Sequence, residues 1–142
     1  MTISGAVVAW LRGYEGGFEL TDAISTDQLE ADPEAYGVFR TPGGAVTEFV
    51  DGSRDVTVNY LFLARQPSQT DGLRVDAHEW LEGLERWIRT QSMRRKLPVL
   101  DGGRICSGVE VTNSYAAEEQ TDAETVYQLT LAINYFEEAT TE

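Results

Sequence analysis

The sequence predicts an α+β domain: an antiparallel sheet, built as a three-strand meander plus a C-terminal hairpin, with two helices packed on it in the order α-β-β-β-α-β-β. Three observations predict it. Two segments repeat their apolar residues at helical spacing, one at the N-terminus and one in the middle of the chain. Five segments alternate apolar and polar residues, and glycine-containing turn signals separate most of them. The strands come in runs, three and then two, rather than alternating singly with helices, which favours antiparallel pairing with the helices gathered on the sheet.

Element by element, residues 2–14 read as the first helix, because Ile3, Ala6, Val7, Trp10, Leu11 and Tyr14 recur on one face. Thr2 or Ser4 can cap it, and Gly13 followed by Gly16-Gly17 ends it. Phe18–Ile24 reads as a short extended piece, and Thr26–Glu34, polar and containing Asp32-Pro33, as a loop or a single helical turn. The meander follows: Ala35–Arg40, the turn signal Pro42-Gly43-Gly44, Ala45–Val50, the turn signal Asp51-Gly52-Ser53, and Arg54–Arg65. In the last of these strands Val56, Val58, Tyr60, Phe62 and Ala64 share a face, while Leu61 and Leu63 make its far end apolar on both sides, as in a central or covered strand. Gln66–Gly72 is expected to be a polar loop.

The second helix is expected over residues 73–92. Ala77, Trp80, Leu81, Leu84, Trp87, Ile88 and Gln91 form its stripe, wide enough to lie across a sheet face. Glu82 with Arg86, and Glu85 with Arg89, have the spacing of favourable helical ion pairs. Arg94, Arg95 and Lys96 stand at its end, where cations complement the macrodipole, and Pro98 prevents continuation. Asp101-Gly102-Gly103 turns the chain into the strand Arg104–Asn113, in which Ile105, Ser107, Val109 and Val111 share one phase and Cys106 the other, so that Cys106 is expected to be semi-exposed. Ser114–Glu124 reads as a long acidic connection and Thr125–Phe136 as the final strand. Residues 1–136 thus make one domain, and residues 137–142 a flexible acidic tail.

Composition excludes several functions. The 142 residues hold 24 carboxylates against 11 cations, a formal charge of −13. Gripping nucleic acid or an anionic membrane needs a basic face that this excess opposes. With 42% hydrophobic and 10% aromatic residues, the chain is too apolar for a disordered acidic segment. The single cysteine, Cys106, excludes an internal disulfide and fits a reducing compartment. The longest apolar run, Ala6–Leu11, is far shorter than the ~20 residues of a membrane span. Met1–Gly13 has its one cation, Arg12, at the wrong end for a secretory leader. The charge is unevenly spread: residues 1–53 net −7, residues 54–104 net +2 and residues 105–142 net −8, with Arg supplying ten of the cations. Arg suits planar contacts to carboxylates and is enriched at protein interfaces, so the basic middle of one copy could meet the acidic ends of another; a mixed solvated surface is the plainer reading.

Motifs of catalysis are weak. His78-Glu79 begins like a zinc-protease helix, but the position four residues after His78 is Glu82. No Gly-x-Ser-x-Gly elbow places a nucleophile, and the glycine pairs at 16–17, 43–44 and 102–103 stand at expected turns rather than in a phosphate-binding pattern. Trp10, Trp80 and Trp87 fall on the helical core stripes. Enzymatic function is unsupported, and no catalytic residue, cofactor or metal is expected.

The order of landmarks resembles the tail terminator, or tail completion, proteins of long-tailed phages, in the branch often labelled minor capsid protein in Gram-positive phages and prophages. The resemblance covers residues 27–136: Asp27-Gln28-Leu29, Tyr36-Gly37-Val38-Phe39, Asp51-Gly52-Ser53, Tyr60-Leu61-Phe62-Leu63-Ala64-Arg65, Trp87-Ile88, Leu97-Pro98-Val99-Leu100, then Val126-Tyr127-Gln128-Leu129 closing with Tyr135. It implies a virion subunit, made in the bacterial host cytoplasm, that forms a homohexameric ring at the head-proximal end of the tail. Such a ring binds the last layer of tail tube protein, ends polymerisation and presents the docking surface for the head-completion or connector proteins. DNA would be only a passenger through the channel, and no membrane would take part. A ring contact joins unlike faces. Arg94, Arg95 and Lys96 are the residues expected at that contact or facing the tube, and the acidic excess is expected to line the channel. Another head–tail neck component, a stopper or adaptor, is the alternative; a ligand-binding module or enzyme is the third reading.

Overall fold

The computed structural model describes residues 2–14, 24–26, 36–121 and 123–139. Within them the chain order is α1 (Ile3–Leu11), β1 (Ile24–Thr26), β2 (Tyr36–Arg40), β3 (Ala45–Glu48), β4 (Arg54–Pro67), α2 (Asp71–Met93), β5 (Arg104–Gln120) and β6 (Glu124–Glu137). The α+β class and the order of the expected elements hold. One strand is added: β1, three residues long, pairs parallel to β2. The expected extended piece reaches it only at Ile24; residues 18–23 and 27–34 lie outside the described residues, as do Gly16-Gly17.

β4 is the central strand, as its two-sided apolar end suggests. Along one side it pairs antiparallel with β6 over its whole length, and β6 in turn with β5. Along the other side it pairs first with β3 and then with β2. Arg40 faces Tyr60 and Ala45 faces Thr57, so the four residues 41–44 stand opposite the two residues 58–59. Pro42-Gly43-Gly44 is therefore a bulge in one continuing edge, not the reversal expected of it. Gly44 makes it possible: its φ is +104°, and a Cβ there would lie 2.2 Å from the Thr57 carbonyl oxygen. The reversal comes at Asp51-Gly52-Ser53, where Phe49 N–H donates to the Ser53 carbonyl at 2.8 Å. Phe49 and Val50, expected at a strand end, belong to this turn.

The inner face of the sheet places Val58, Tyr60 and Phe62 opposite Ile133, Leu131 and Leu129, all nearly inaccessible. Both helices cover this face. α2 buries Ala77, Trp80, Leu81, Leu84 and Ile88, and Thr70 caps it, its hydroxyl accepting from Leu73 N–H at 3.1 Å. α1 buries Ile3, Val7 and Leu11. It meets the sheet through the Ser4–Tyr60 hydroxyl pair at 2.9 Å, and α2 through Trp10 on Trp87, ring centroids 4.9 Å apart. The Tyr14 hydroxyl donates to the Trp80 carbonyl at 2.9 Å. It crosses α2 at Gly83, where a Cβ would come within 2.5 Å of that hydroxyl. Of the three tryptophans Trp80 is buried, while Trp10 and Trp87 are half-buried against the core.

Three further expectations change. The acidic connection after Asn113 is strand: β5 runs to Gln120, and β6 pairs back on it antiparallel from Glu124. Register shifts at Cys106/Gly108, Val111/Asn113, Asn113/Ala116 and Ala117/Glu119 break its alternation, which hid the strand from a period-two reading. Gln66, expected in a loop, lies in β4 and is buried, donating to the Tyr36 hydroxyl at 3.1 Å. Glu137 and Glu138, expected in a flexible tail, are held: Glu137 bonds Arg54 at 2.6 Å and Glu138 N–H donates to the Gly103 carbonyl at 2.9 Å. Residues 140–142 lie outside the described residues.

Candidate interaction surface

His78 is exposed on α2 and lies edge-on to Tyr115 and Tyr127, 5.3 and 5.5 Å between ring centroids. Glu82, one turn on, accepts the Tyr115 hydroxyl at 2.9 Å. Burial, followed by that bond to a carboxylate, pushes the Tyr115 hydroxyl up to about 12. Among the described residues, no three His, Cys, Asp or Glu side chains stand together as a metal site. Cys106 is not semi-exposed. The bulge between Cys106 and Gly108 switches the phase of β5, turning Cys106 inward with Val109 and leaving Ile105 59% exposed. Burial raises the Cys106 thiol above its ordinary pKa, which suppresses the nucleophilic thiolate. No described helix is long and apolar enough to cross a membrane.

Arg94, Arg95 and Lys96 are brought together at the C-terminal end of α2, all exposed. Arg94 is the C-cap. Arg95 N–H donates to the Ser92 carbonyl and Lys96 N–H to the Gln91 carbonyl, at 3.2 and 2.9 Å. This pair of bonds is a Schellman closure, which places the residue after the cap in the left-handed region and usually puts glycine there. Here that residue is Arg95, at φ +62°. Its guanidinium reaches across to the Ser107 carbonyl of β5 at 3.0 Å, and the Lys96 carbonyl accepts Trp10 Nε1–H at 2.8 Å. Three bonds to its backbone and one from the Arg95 guanidinium fix this corner, while all three residues remain exposed.

Sequence reasoning missed the groove beside it. Between α2 and β5 lies an open groove of about 760 Å³, with Met93, Val109 and Val111 among its apolar lining and Arg86 and Arg89 among its polar lining. The helical ion pairs expected for these arginines do not form. Glu85 turns instead to β5, accepting from Ser114 Oγ–H at 2.7 Å and Tyr115 N–H at 2.6 Å, and Glu82 is taken by the Tyr115 hydroxyl. Neither Arg86 nor Arg89 makes an ion pair within 4 Å among the described residues. Met93, in the lining of the groove, directly precedes the Arg94–Lys96 corner in the chain.

A second surface was also missed. The turn between β3 and β4 presents Phe49, 45% exposed, and Val50, fully exposed, with Val46 beside them at 55%. Glu48 and Asp51 flank the pair. Asp51, though exposed, bonds within its own turn, accepting Ser53 N–H at 2.9 Å and Ser53 Oγ–H at 2.6 Å. These bonds hold its carboxyl below the usual range. A signal existed: two large apolar residues directly before Asp51-Gly52-Ser53 must be displayed by the turn unless something covers them. The turn stands at the β3 edge of the sheet and the groove at the β5 edge, with β4 and β6 between. Compared with models of known protein families and with curated proteins, the chain matches none.

Proposed function

We propose that this chain is a tail terminator subunit: a structural virion protein that assembles as a hexameric ring on the last layer of a tail tube, stops its growth and offers the head connector a docking surface. The observation that supports this most is the spatial separation of charge. Arg86, Arg89, Arg94, Arg95 and Lys96 gather on the second half and end of α2, all exposed. Most exposed carboxylates lie elsewhere, Asp71, Asp76 and Glu79 on the first half of α2, Glu48, Asp51 and Asp55 around the β3–β4 turn, and Glu118 and Glu119 near the far end of β5, while Glu82 and Glu110 share the groove with Arg86 and Arg89. A subunit with unlike faces suits a heterologous contact that closes by rotation. Within α2 the same polarity also complements the helix dipole, but that does not account for carboxylates on the hairpins.

Four of the segments that resemble tail terminators lie in the sheet and α2. Tyr36–Phe39 belong to β2, Tyr60–Arg65 to β4, Trp87-Ile88 to α2 and Val126–Leu129 to β6, while Asp51-Gly52-Ser53 is the exposed turn. The role needs shape and charge rather than a reacting group, and DNA would pass the ring without being bound. Charge reversal at the corner tests the reading. Arg94→Glu with Arg95→Glu and Lys96→Glu should leave the fold intact, by far-ultraviolet circular dichroism, while impairing capping of purified tail tubes. Unimpaired capping and an unchanged oligomer would remove the corner from the mechanism.

A further inference from the structure

Resting on the ring reading, we propose that the β3–β4 turn of one copy seats in the α2–β5 groove of the next, with Phe49 and Val50 on Met93 and Val111, and Glu48 on Arg86 and Arg89. The occupant is a second copy of this chain, and complementarity on both sides argues for it. The groove sets Met93 and Val111 beside Arg86 and Arg89; of the carboxylates in its lining, Glu82 and Glu85 are already engaged by Tyr115 and Ser114, and Glu110 lies on the β5 side. Arg94, Arg95 and Lys96, all exposed, follow Met93 directly in the chain. The turn offers the inverse: two apolar side chains in water, preceded by Glu48. Met93, 74% exposed, is an adaptable surface for an aromatic ring.

Geometry sets the symmetry. Because turn and groove lie at opposite edges of one sheet, separated by β4 and β6, a chain cannot fill its own groove without bending that sheet. The contact joins unlike patches, so an open chain of copies keeps one free turn at one end and one free groove at the other until a ring closes. Asp51 stiffens the inserting element, since its bonds to Ser53 fix the turn before docking; less ordering remains to be done on association. Glu110, which lines the β5 side of the groove, disfavours an occupant whose carboxylates lie along its whole length and suits one with charge at one end.

Disulfide trapping tests the proposal. In full-length chains carrying Cys106→Ala, the single variants Val50→Cys and Met93→Cys are purified separately, mixed and oxidised. The expected product is the mixed dimer, well above that from a control mixture of Val75→Cys with Met93→Cys. A yield equal to the control overturns the proposal, even where microscopy finds six-fold rings on tube ends, in which case the ring is built by other surfaces. Charge exchange is the second arm. Glu48→Arg and Arg89→Glu should each lower the trapped yield about tenfold, the scale of one lost close charge pair, and the chain carrying both should recover it. Failure of the double variant to recover refutes the Glu48–Arg89 contact. The chain with both cysteines then reads the symmetry: a covalent ladder ending at six copies supports the ring, while an open-ended ladder keeps the turn-in-groove contact and refutes ring closure.

Discussion

Arg95 occupies the one described non-glycine position with positive φ, at the turn where α2 ends. The left-handed conformation costs an L-residue about 1–2 kcal/mol, whereas glycine pays mainly about 0.5–1 kcal/mol of extra chain entropy. Substituting Arg95 alone confounds this with loss of the guanidinium bond to the Ser107 carbonyl. Two variants separate them. Arg95→Gly and Arg95→Ala both lose the guanidinium, but only Ala keeps the backbone cost. Glycine should therefore be the more stable of the two by about 0.5–1 kcal/mol, or on the order of 2–4 °C in Tm for a domain of this size. Urea unfolding and thermal melts of both variants measure it. If Arg95 is retained for the side chain it displays, the two variants should cap tail tubes equally poorly despite their different stabilities. An alanine variant as stable as the glycine one refutes the strain argument. Capping that recovers in step with stability refutes the interface role.

Other predictions rest on separate parts of the fold. Gly44→Ala places a Cβ against the Thr57 carbonyl at positive φ and should cost on the order of 2–5 kcal/mol in urea unfolding; Gly102→Ala, also at positive φ but with its nearest neighbour 3.9 Å away, should cost only about 1 kcal/mol. Leu84→Ala, inside the helix–sheet core, should cost about 2–5 kcal/mol by the same measurement. The Asp51 carboxyl is held below its ordinary value by Ser53, so its contribution is complete above the unfolded-state pKa of about 3.9 and is lost as pH falls through the lower folded value. Stability of Asp51→Asn relative to the native chain should therefore be lowest near neutrality and converge with it in strong acid; a constant gap across pH would show that the Ser53 bonds do not depend on charge. In an assembled ring, the wall facing the channel should be acidic, and a basic wall would contradict DNA as an unbound passenger.

The fold was legible wherever one face of an element is buried without interruption. Tyr127, Leu129, Leu131, Ile133 and Tyr135 alternate along β6 because helices cover that face throughout. The Ala77–Ile88 stripe repeats at helical spacing for the same reason. Legibility failed where backbone irregularity intervened. Gly43-Gly44 reads equally as a turn or a bulge, and only pairing with β4 decides between them. Bulges scrambled the phase of β5, misplacing Cys106 and hiding the strand from Ser114 to Gln120. For the candidate site, the Arg94–Lys96 corner was visible as charge following a helix. The groove was not, because it depends on Glu82 and Glu85 choosing Tyr115 and Ser114, thirty residues distant along the chain, over the arginines one turn away. Helical ion pairs are worth only about 0.2–0.5 kcal/mol, so competing hydrogen bonds from an adjacent strand outweigh them.

The most direct test of the central proposal is electron microscopy of the purified full-length chain incubated with growing tail tubes. The account predicts a six-fold ring of this chain on one end of each tube, with elongation stopped there. Tubes that keep growing with no bound chain, or a bound assembly without six-fold symmetry, would contradict it.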